Sequence, residues 1–137
     1  MNLELAPTKE MLKISLKHKP NYICIVPEKR SEITTEGGLN LKKNKKLIRD
    51  FLKKFRAKKI RTSLFIEPNI SDIKVAKEIN ANCVEIHTGK FCNLLNKKKS
   101  TFNEFNRLKK AVNYANIIGL DVLSLIHISE PTRPTPI

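Results

Sequence analysis

Short apolar runs alternate with longer helical patterns along most of this chain, and that alternation limits its fold more than any other feature. We predict strands at residues 1–5, 22–26, 61–66 and 83–86, and the start of a fifth strand at 120–122. Helix-spaced apolar residues predict helices at about 8–17, 43–55 and 100–117, and another that begins at a cap at 71. Strands and helices that alternate in this way form parallel βαβ units.

The strands read as largely apolar on both faces, which is typical of a parallel sheet covered by helices. No glycine-rich dinucleotide or P-loop motif follows a strand, and this argues against those folds. We therefore predict an α/β fold, with a partial TIM (β/α)8 barrel of about four βα units as the leading architecture. A complete barrel takes about 250 residues, whereas the chain has 137. The pattern alone leaves a small flavodoxin-like sheet open as the alternative.

A net charge of +14 raises the hypothesis of a basic nucleic-acid-binding module. The lysines, however, are concentrated at residues 42–59 and 97–99, and in the first segment they alternate with helix-spaced apolar residues. That pattern is typical of a solvated helix face. Aromatic residues make up only 6% of the chain, too few for a surface that stacks bases. We therefore expect no nucleic-acid partner.

The three cysteines form no CxxC pair, and Cys24 and Cys83 lie inside apolar runs. This pattern favours buried free thiols over a zinc site, which would need closer ligand spacing. No apolar run approaches the roughly 18 residues that a membrane span requires, and no leader peptide opens the chain. The sequence therefore predicts a cytoplasmic protein with no bound metal and no membrane partner.

The last fifteen residues, 123–137, differ in character from the rest of the chain. They lack its lysine and asparagine bias, and three of the seven prolines lie in the last seven residues. Residues 123–133 resemble the translation of an adapter used to build sequencing libraries. We therefore predict a non-native tail at 123–137, assign residues 1–122 to the folded part, and exclude His127 from any site.

Two predicted strands carry carboxylates where a packed core would exclude them. Glu4 shares a face with Asn2, and Glu85 shares a face with His87, because side chains two residues apart point the same way along a strand. In a barrel, inward-facing side chains near the carboxyl ends of strands reach the active site. Burial beside another carboxylate would raise a glutamate's pKa and make it a general acid or base near neutral pH. A salt bridge, or an exposed sheet edge, remains the alternative for each glutamate.

The segment 27–39 follows the second predicted strand and is therefore expected on the same side of the fold. It contains basic, hydroxyl and glycine residues: Lys29, Arg30, Thr34, Thr35, Gly37 and Gly38. Basic side chains can bind phosphate, and a glycine pair lets the backbone turn and approach a neighbour closely. The composition suits an anionic ligand, although loops are often rich in such residues.

Taken together, these segments resemble the pyridoxine 5′-phosphate synthase family. The matching stretches, in the family's order, are Met1-Asn-Leu-Glu-Leu-Ala6, Val26-Pro-Glu-Lys-Arg30, Thr34-Thr-Glu-Gly-Gly-Leu39, Ser63-Leu-Phe-Ile66 and Glu85-Ile-His-Thr-Gly89. The resemblance implies a (β/α)8 barrel that is a cytoplasmic homo-octamer. It also implies condensation of 1-deoxy-D-xylulose 5-phosphate with 3-amino-2-oxopropyl phosphate to pyridoxine 5′-phosphate, without a metal or organic cofactor. Another phosphosugar-handling barrel enzyme is the alternative.

Three residues match functional positions of that family. The resemblance implies that Glu4 is a proton acceptor, that Glu85 stabilises the transition state, and that Thr34 contacts deoxyxylulose phosphate. Four others are candidates for supporting roles: Asn2, Arg30, Thr35 and His87. By the same resemblance, residues 1–122 correspond to strands three to six, their helices and the start of strand seven. We therefore expect the chain alone to be an inactive fragment.

Overall fold

A five-stranded, wholly parallel sheet forms the centre of the computed structural model, which describes residues 2–27 and 37–124. Each strand falls where the short apolar runs predict one, so the α/β fold class is confirmed. The strands are β1 (Asn2–Leu5), β2 (Tyr22–Ile25), β3 (Arg61–Ile66), β4 (Cys83–Ile86) and β5 (Asp121–Ser124).

Within the described residues, five helices connect these strands: α1 (Lys9–His18), α2 (Lys45–Ala57), α3 (Ile70–Glu78), α4 (Gly89–Asn96) and α5 (Phe102–Ile117). Thr8 is the N-cap of α1, because its hydroxyl accepts a hydrogen bond from the Met11 amide at 3.2 Å. Gly119, two residues beyond α5, has the positive φ of +87° that favours glycine after a helix. Helix α4 lies in a stretch for which the sequence pattern predicts neither a helix nor a strand.

The strands follow one another in the sheet in the order of the sequence, β1-β2-β3-β4-β5. A doubly wound sheet such as the flavodoxin-like one reverses its strand order and carries helices on both faces. Among the described strands there is no such reversal. Since parallel crossovers are right-handed, an unreversed order places every connecting helix on the same side. This arrangement is compatible with part of a TIM-like barrel.

The helix-covered face of the sheet contains the hydrophobic core. Every second residue of each strand lies on this face. Those that are buried in the core are Leu5, Ile23, Ile25, Leu64, Ile66, Val84 and Ile86. Helices α1, α2, α3 and α5 bury side chains in the same cluster. The largest come from α2, where Ile48, Phe51, Leu52 and Phe55 lie at helical spacing and are at most 4% exposed.

The opposite face, here called the polar face, differs from the prediction that the strands are apolar on both sides. The register places these residues in line across the strands: Asn2, Glu4, Tyr22, Cys24, Arg61, Ser63, Phe65, Cys83, Glu85, Asp121 and Leu123. None of the described helices packs its core residues against this face, because they all join the core on the other side. Polar side chains are therefore tolerated here at alternate strand positions.

Candidate active site

Glu4 and Glu85, the two glutamates predicted from the sequence, both lie on the polar face. Glu4 is the third residue of β1 and is exposed, whereas Glu85 is the third residue of β4 and is half-buried. The register pairs Glu4 with Cys24 of β2 and pairs Glu85 with Phe65 of β3. Since Cys24 pairs in turn with Ser63, Glu85 lies one row nearer the carboxyl edge of the sheet than Glu4 does.

Cys24 connects the two glutamates. It is the register partner of Glu4, and its thiol donates a hydrogen bond to Oε2 of Glu85 over 3.3 Å. Burial raises the pKa of the Cys24 thiol to about 12, and the neighbouring carboxylates of Glu85 and Glu4 add to this effect. The thiol is therefore protonated at neutral pH and acts as a hydrogen-bond donor rather than as a nucleophile.

A second polar pair lies beside Cys24. The Tyr22 hydroxyl on β2 and the Ser63 hydroxyl on β3 are hydrogen-bonded at 2.5 Å. Burial raises the pKa of Tyr22 to about 12, which keeps the phenol protonated. This pair could not be predicted from the sequence, because its members are 41 residues apart and meet only through the strand register.

Glu67 is a site residue that the sequence analysis missed. It follows β3 directly, is only 3% exposed, and accepts a hydrogen bond from the Gly38 amide at Oε2. One signal could have found it: Glu67 continues the two-residue period of Ser63 and Phe65 on the polar face.

His87 lies at the carboxyl end of β4, where its amide donates to the Ile66 carbonyl at 2.8 Å. Its ring packs against Phe65, with ring centroids 5.0 Å apart. Two glycines leave space for the imidazole: a Cβ on Gly37 would lie 2.9 Å from Nε2, and one on Gly89 would lie 2.5 Å from Cε1. Gly37 also has a φ of +114°, so the predicted need for glycine at this turn is confirmed.

The remaining predicted residues lie away from this cluster or outside the described part of the chain. Asn2 is exposed at the start of β1 and pairs in register with Tyr22, so it lies one row further from the carboxyl edge than Glu4. Arg30, Thr34 and Thr35 lie outside the described residues.

The arrangement supplies groups that can move protons beside an open sheet face. Two carboxylates, a protonated thiol and an imidazole lie on β1, β2 and the carboxyl end of β4, within two rows of one another. Such groups suit general acid–base chemistry on a small molecule.

Across residues 2–27 and 37–124, no three His, Cys, Asp or Glu side chains gather in a way that could hold a metal ion. No helix in that part of the chain is long and apolar enough to cross a membrane.

Comparison with known proteins gives a consistent result. Residues 1–124 match the sequence model of the family described as pyridoxal phosphate biosynthesis protein PdxJ. The chain is 56% identical over 121 residues to the pyridoxine 5′-phosphate synthase of Pelagibacter ubique, covering 88% of this chain and 51% of that protein. It is 44% identical over 124 residues to the synthase of Aquifex aeolicus, covering 89% and 51%. It is 45% identical over 114 residues to that of Ehrlichia chaffeensis, covering 83% and 46%.

These relatives share one name, and the chain spans about half of the length of each. The family match includes every strand and helix of the described residues, and it ends at residue 124. The resemblance first seen in the motifs of β1, β3 and β4 therefore holds across the described fold. The chain belongs to the PdxJ family of pyridoxal phosphate biosynthesis proteins.

Proposed function

We propose that the protein to which this chain belongs is a pyridoxine 5′-phosphate synthase. In this reaction 1-deoxy-D-xylulose 5-phosphate and 3-amino-2-oxopropyl phosphate condense to pyridoxine 5′-phosphate, with release of inorganic phosphate and water. The family membership supports the proposal, and so does one feature of the site: Glu4 and Glu85 share the polar face and both adjoin Cys24. No metal or organic cofactor enters the proposed mechanism.

The proposed roles follow from the position of each group. Glu4 is exposed on the open face, where a carboxylate can accept a proton from a bound substrate. Glu85 is half-buried and receives the Cys24 thiol hydrogen bond, so its carboxylate is held in place to stabilise positive charge in the transition state. Ring closure with loss of water and phosphate needs such groups, since protons leave carbon and reach oxygen at several steps.

Further residues of the chain are proposed to bind or support the substrates. Thr34 would contact deoxyxylulose phosphate, and Arg30 and Thr35 would assist from the same segment. His87, packed between Gly37 and Gly89 at the carboxyl end of β4, would line the site, with Asn2 in an outer position. The basic guanidinium of Arg30 suits a phosphate group.

The architecture of the complete protein is also a proposal. Residues 1–122 would supply strands three to six of a (β/α)8 barrel, their helices and the start of strand seven, and 123–137 would be a non-native tail. The unreversed strand order supports a barrel. The chain covers about half of each relative, which supports its assignment to about half of the eight βα units. The complete enzyme would be a cytoplasmic homo-octamer, and the chain alone would be inactive.

The test is turnover by the complete protein, which is to say the whole reading frame that contains this chain. The protein should form pyridoxine 5′-phosphate from the two phosphorylated precursors, and Glu4→Gln should lower kcat by about a hundredfold or more with its fold intact. Asp50→Asn on the outer side of α2 is the matched control, since it also neutralises an exposed carboxylate, and it should leave kcat unchanged. Unchanged turnover in Glu4→Gln would refute the proposed base.

A further inference from the structure

Three hydrogen-bonding side chains lead across the polar face to Glu85. The Tyr22 hydroxyl on β2 donates to Ser63 Oγ on β3 at 2.5 Å. Ser63 is the register partner of Cys24, whose thiol donates to Oε2 of Glu85 over 3.3 Å. Tyr22, Ser63 and Cys24, here called the donor line, therefore join β2 and β3 to a residue of β4 that the proposed mechanism uses.

Every group of the donor line donates in the direction of Glu85. The Tyr22 phenol stays protonated at neutral pH, because burial raises its pKa to about 12. Burial also raises the pKa of Cys24 to about 12, and the Ser63 hydroxyl opposes this effect by hydrogen bonding, as a donor to the sulfur does. A carboxylate can only accept hydrogen bonds, so the line ends at Glu85.

The donor line is shielded from solvent where it passes between the strands. Ser63 is 0% exposed and Cys24 is 4% exposed. In such surroundings each hydrogen bond polarises the next, so a change at one end of the line affects the other. Burial is the largest cause of the raised pKa of Tyr22, and the charge of Glu85 is among the lesser ones. The two ends of the line therefore interact, although β3 lies between their strands.

We infer that Tyr22 and Ser63 are positioning residues for Glu85 and act on it through the Cys24 thiol. The inference rests on the proposed function, in which Glu85 stabilises charge in the transition state. A carboxylate held by a fixed donor needs no rearrangement when that charge develops. Loss of either hydroxyl should therefore weaken catalysis, although neither Tyr22 nor Ser63 is proposed to contact a substrate.

The first measurement is steady-state kinetics of the complete protein with single hydroxyl groups removed. Ser63→Ala should lower kcat about tenfold and Tyr22→Phe about threefold, with the KM of each substrate within about twofold of the wild type. Tyr114→Phe is the matched control for the phenol, since Tyr114 on α5 packs against the core. Thr62→Val is the control for the buried hydroxyl, since Thr62 is 3% exposed and pairs with Ile23 on the helix-covered face. Both controls should leave kcat within about twofold, whatever they do to Tm.

A second set of variants separates action through Glu85 from a merely structural role. Methionine has nearly the same shape as glutamate without the acceptor, so in Glu85→Met the donor line has no carboxylate to hold. Ser63→Ala should then change kcat by less than about twofold, even where it lowers Tm as it does in the wild type. Cys24→Ser keeps a donor and should retain kcat within about threefold, whereas Cys24→Ala should lower it about tenfold.

The infrared S–H stretching band of Cys24 reports on the donor line without any turnover. Its loss in Cys24→Ser assigns the band. The band should move to higher frequency in Glu85→Met, because the thiol then loses its acceptor. It should move in the same direction, but less, in Ser63→Ala and Tyr22→Phe, since each removes a bond that strengthens the next. Thr62→Val should leave it unchanged.

Three results would overturn the inference while the proposed function stands. One is wild-type kcat in both Ser63→Ala and Tyr22→Phe. Another is a Ser63→Ala substitution that lowers kcat by the same factor with and without Glu85. The third is an S–H band that neither hydroxyl substitution moves. If Ser63→Ala does not fold, Tyr22→Phe gives the same three readings. Absence of pyridoxine 5′-phosphate with the wild type would instead overturn the proposed function and the inference with it.

Discussion

The two faces of the sheet are built from alternate residues of the same strands, yet they differ in almost every physical respect. The helix-covered face contributes aliphatic side chains such as Leu64 and Ile66, which are completely buried. The polar face places Glu4, Cys24 and Glu85 in adjoining positions with hydrogen bonds between strands. A period of two along each strand therefore separates the residues that hold the fold together from those available for chemistry.

The largest expected effect is in thiol reactivity: the cysteines of the polar face should react far more slowly than an ordinary exposed cysteine. The Cys24 pKa of about 12 lowers its thiolate fraction near neutral pH by at least about a thousandfold relative to an ordinary thiol. Burial also raises the pKa of Cys83. In the native protein, maleimide at pH 8 should therefore label Cys92 on α4, which is half-buried, and leave the other two unmodified.

Labelling of Cys24 should increase only as the pH approaches the alkaline range, because a raised pKa keeps the thiol protonated until then. Mass spectrometry of proteolytic peptides after a timed reaction measures each site separately. The denatured protein is the control, since there all three cysteines should react. Cys24 labelled as fast as Cys92 in the native protein would mean that the polar face is far more open than its contacts imply.

Removal of a core side chain should give the next largest effect, and it should be an effect on stability. Phe51 on α2 is 1% exposed and meets Phe55 edge to face, with centroids 6.2 Å apart. Phe51→Ala should lower the free energy of unfolding by about 3–5 kcal/mol, because it removes buried apolar area and leaves a cavity. Chemical denaturation of the complete protein measures this loss.

Ile117→Ala is the matched control for Phe51→Ala, since Ile117 is a large apolar residue on α5 that is 81% exposed. Its removal should change the free energy of unfolding by less than about 0.5 kcal/mol. Equal losses for the two variants would show that the helix-covered face does not dominate stability in the way that its burial suggests.

The ion pair at the amino ends of β3 and β5 should give the smallest effect. Arg61 donates to Oδ2 of Asp121 at 2.5 Å, but the two side chains are 51% and 65% exposed. Solvent screens such a pair, so a double-mutant cycle of Arg61→Ala and Asp121→Ala should give a coupling energy of at most about 1 kcal/mol. A much larger coupling, insensitive to salt, would mean that the amino end of the polar face is less hydrated than its exposure indicates.

Much of the fold could be predicted from the sequence, because the spacing of apolar residues within a short segment is enough to indicate a helix or a strand. The spacing of Ile48, Phe51 and Phe55 predicts a helix whatever lies elsewhere, and these side chains are buried together. Helix α4 could not be predicted in this way, since none of its residues is buried. It packs against α5 through Phe91 and Phe105, whose rings lie 6.4 Å apart, so this contact depends on a neighbour that its own sequence does not reveal.

The site was predictable to the same extent. Glu4 and Glu85 stand out because a carboxylate interrupts an apolar strand. Glu67 does not, since its burial depends on an amide 29 residues earlier in the chain. The sequence also did not reveal which side of each strand faces the helices. An apolar residue such as Phe65 can lie on the polar face without disturbing the local pattern.

The packing of His87 between two glycines has a consequence for how this site can change over generations. A methyl group at Gly89 would lie 2.5 Å from Cε1 of the imidazole, which is impossible while the ring stays where it is. Replacement of His87 by a smaller residue would remove that obstacle. The loss of folding stability caused by Gly89→Ala should therefore depend on which residue occupies position 87, and substitutions at the two positions should be strongly non-additive. Routes of neutral drift through this edge of the sheet would be ordered, with the histidine changing before the glycine.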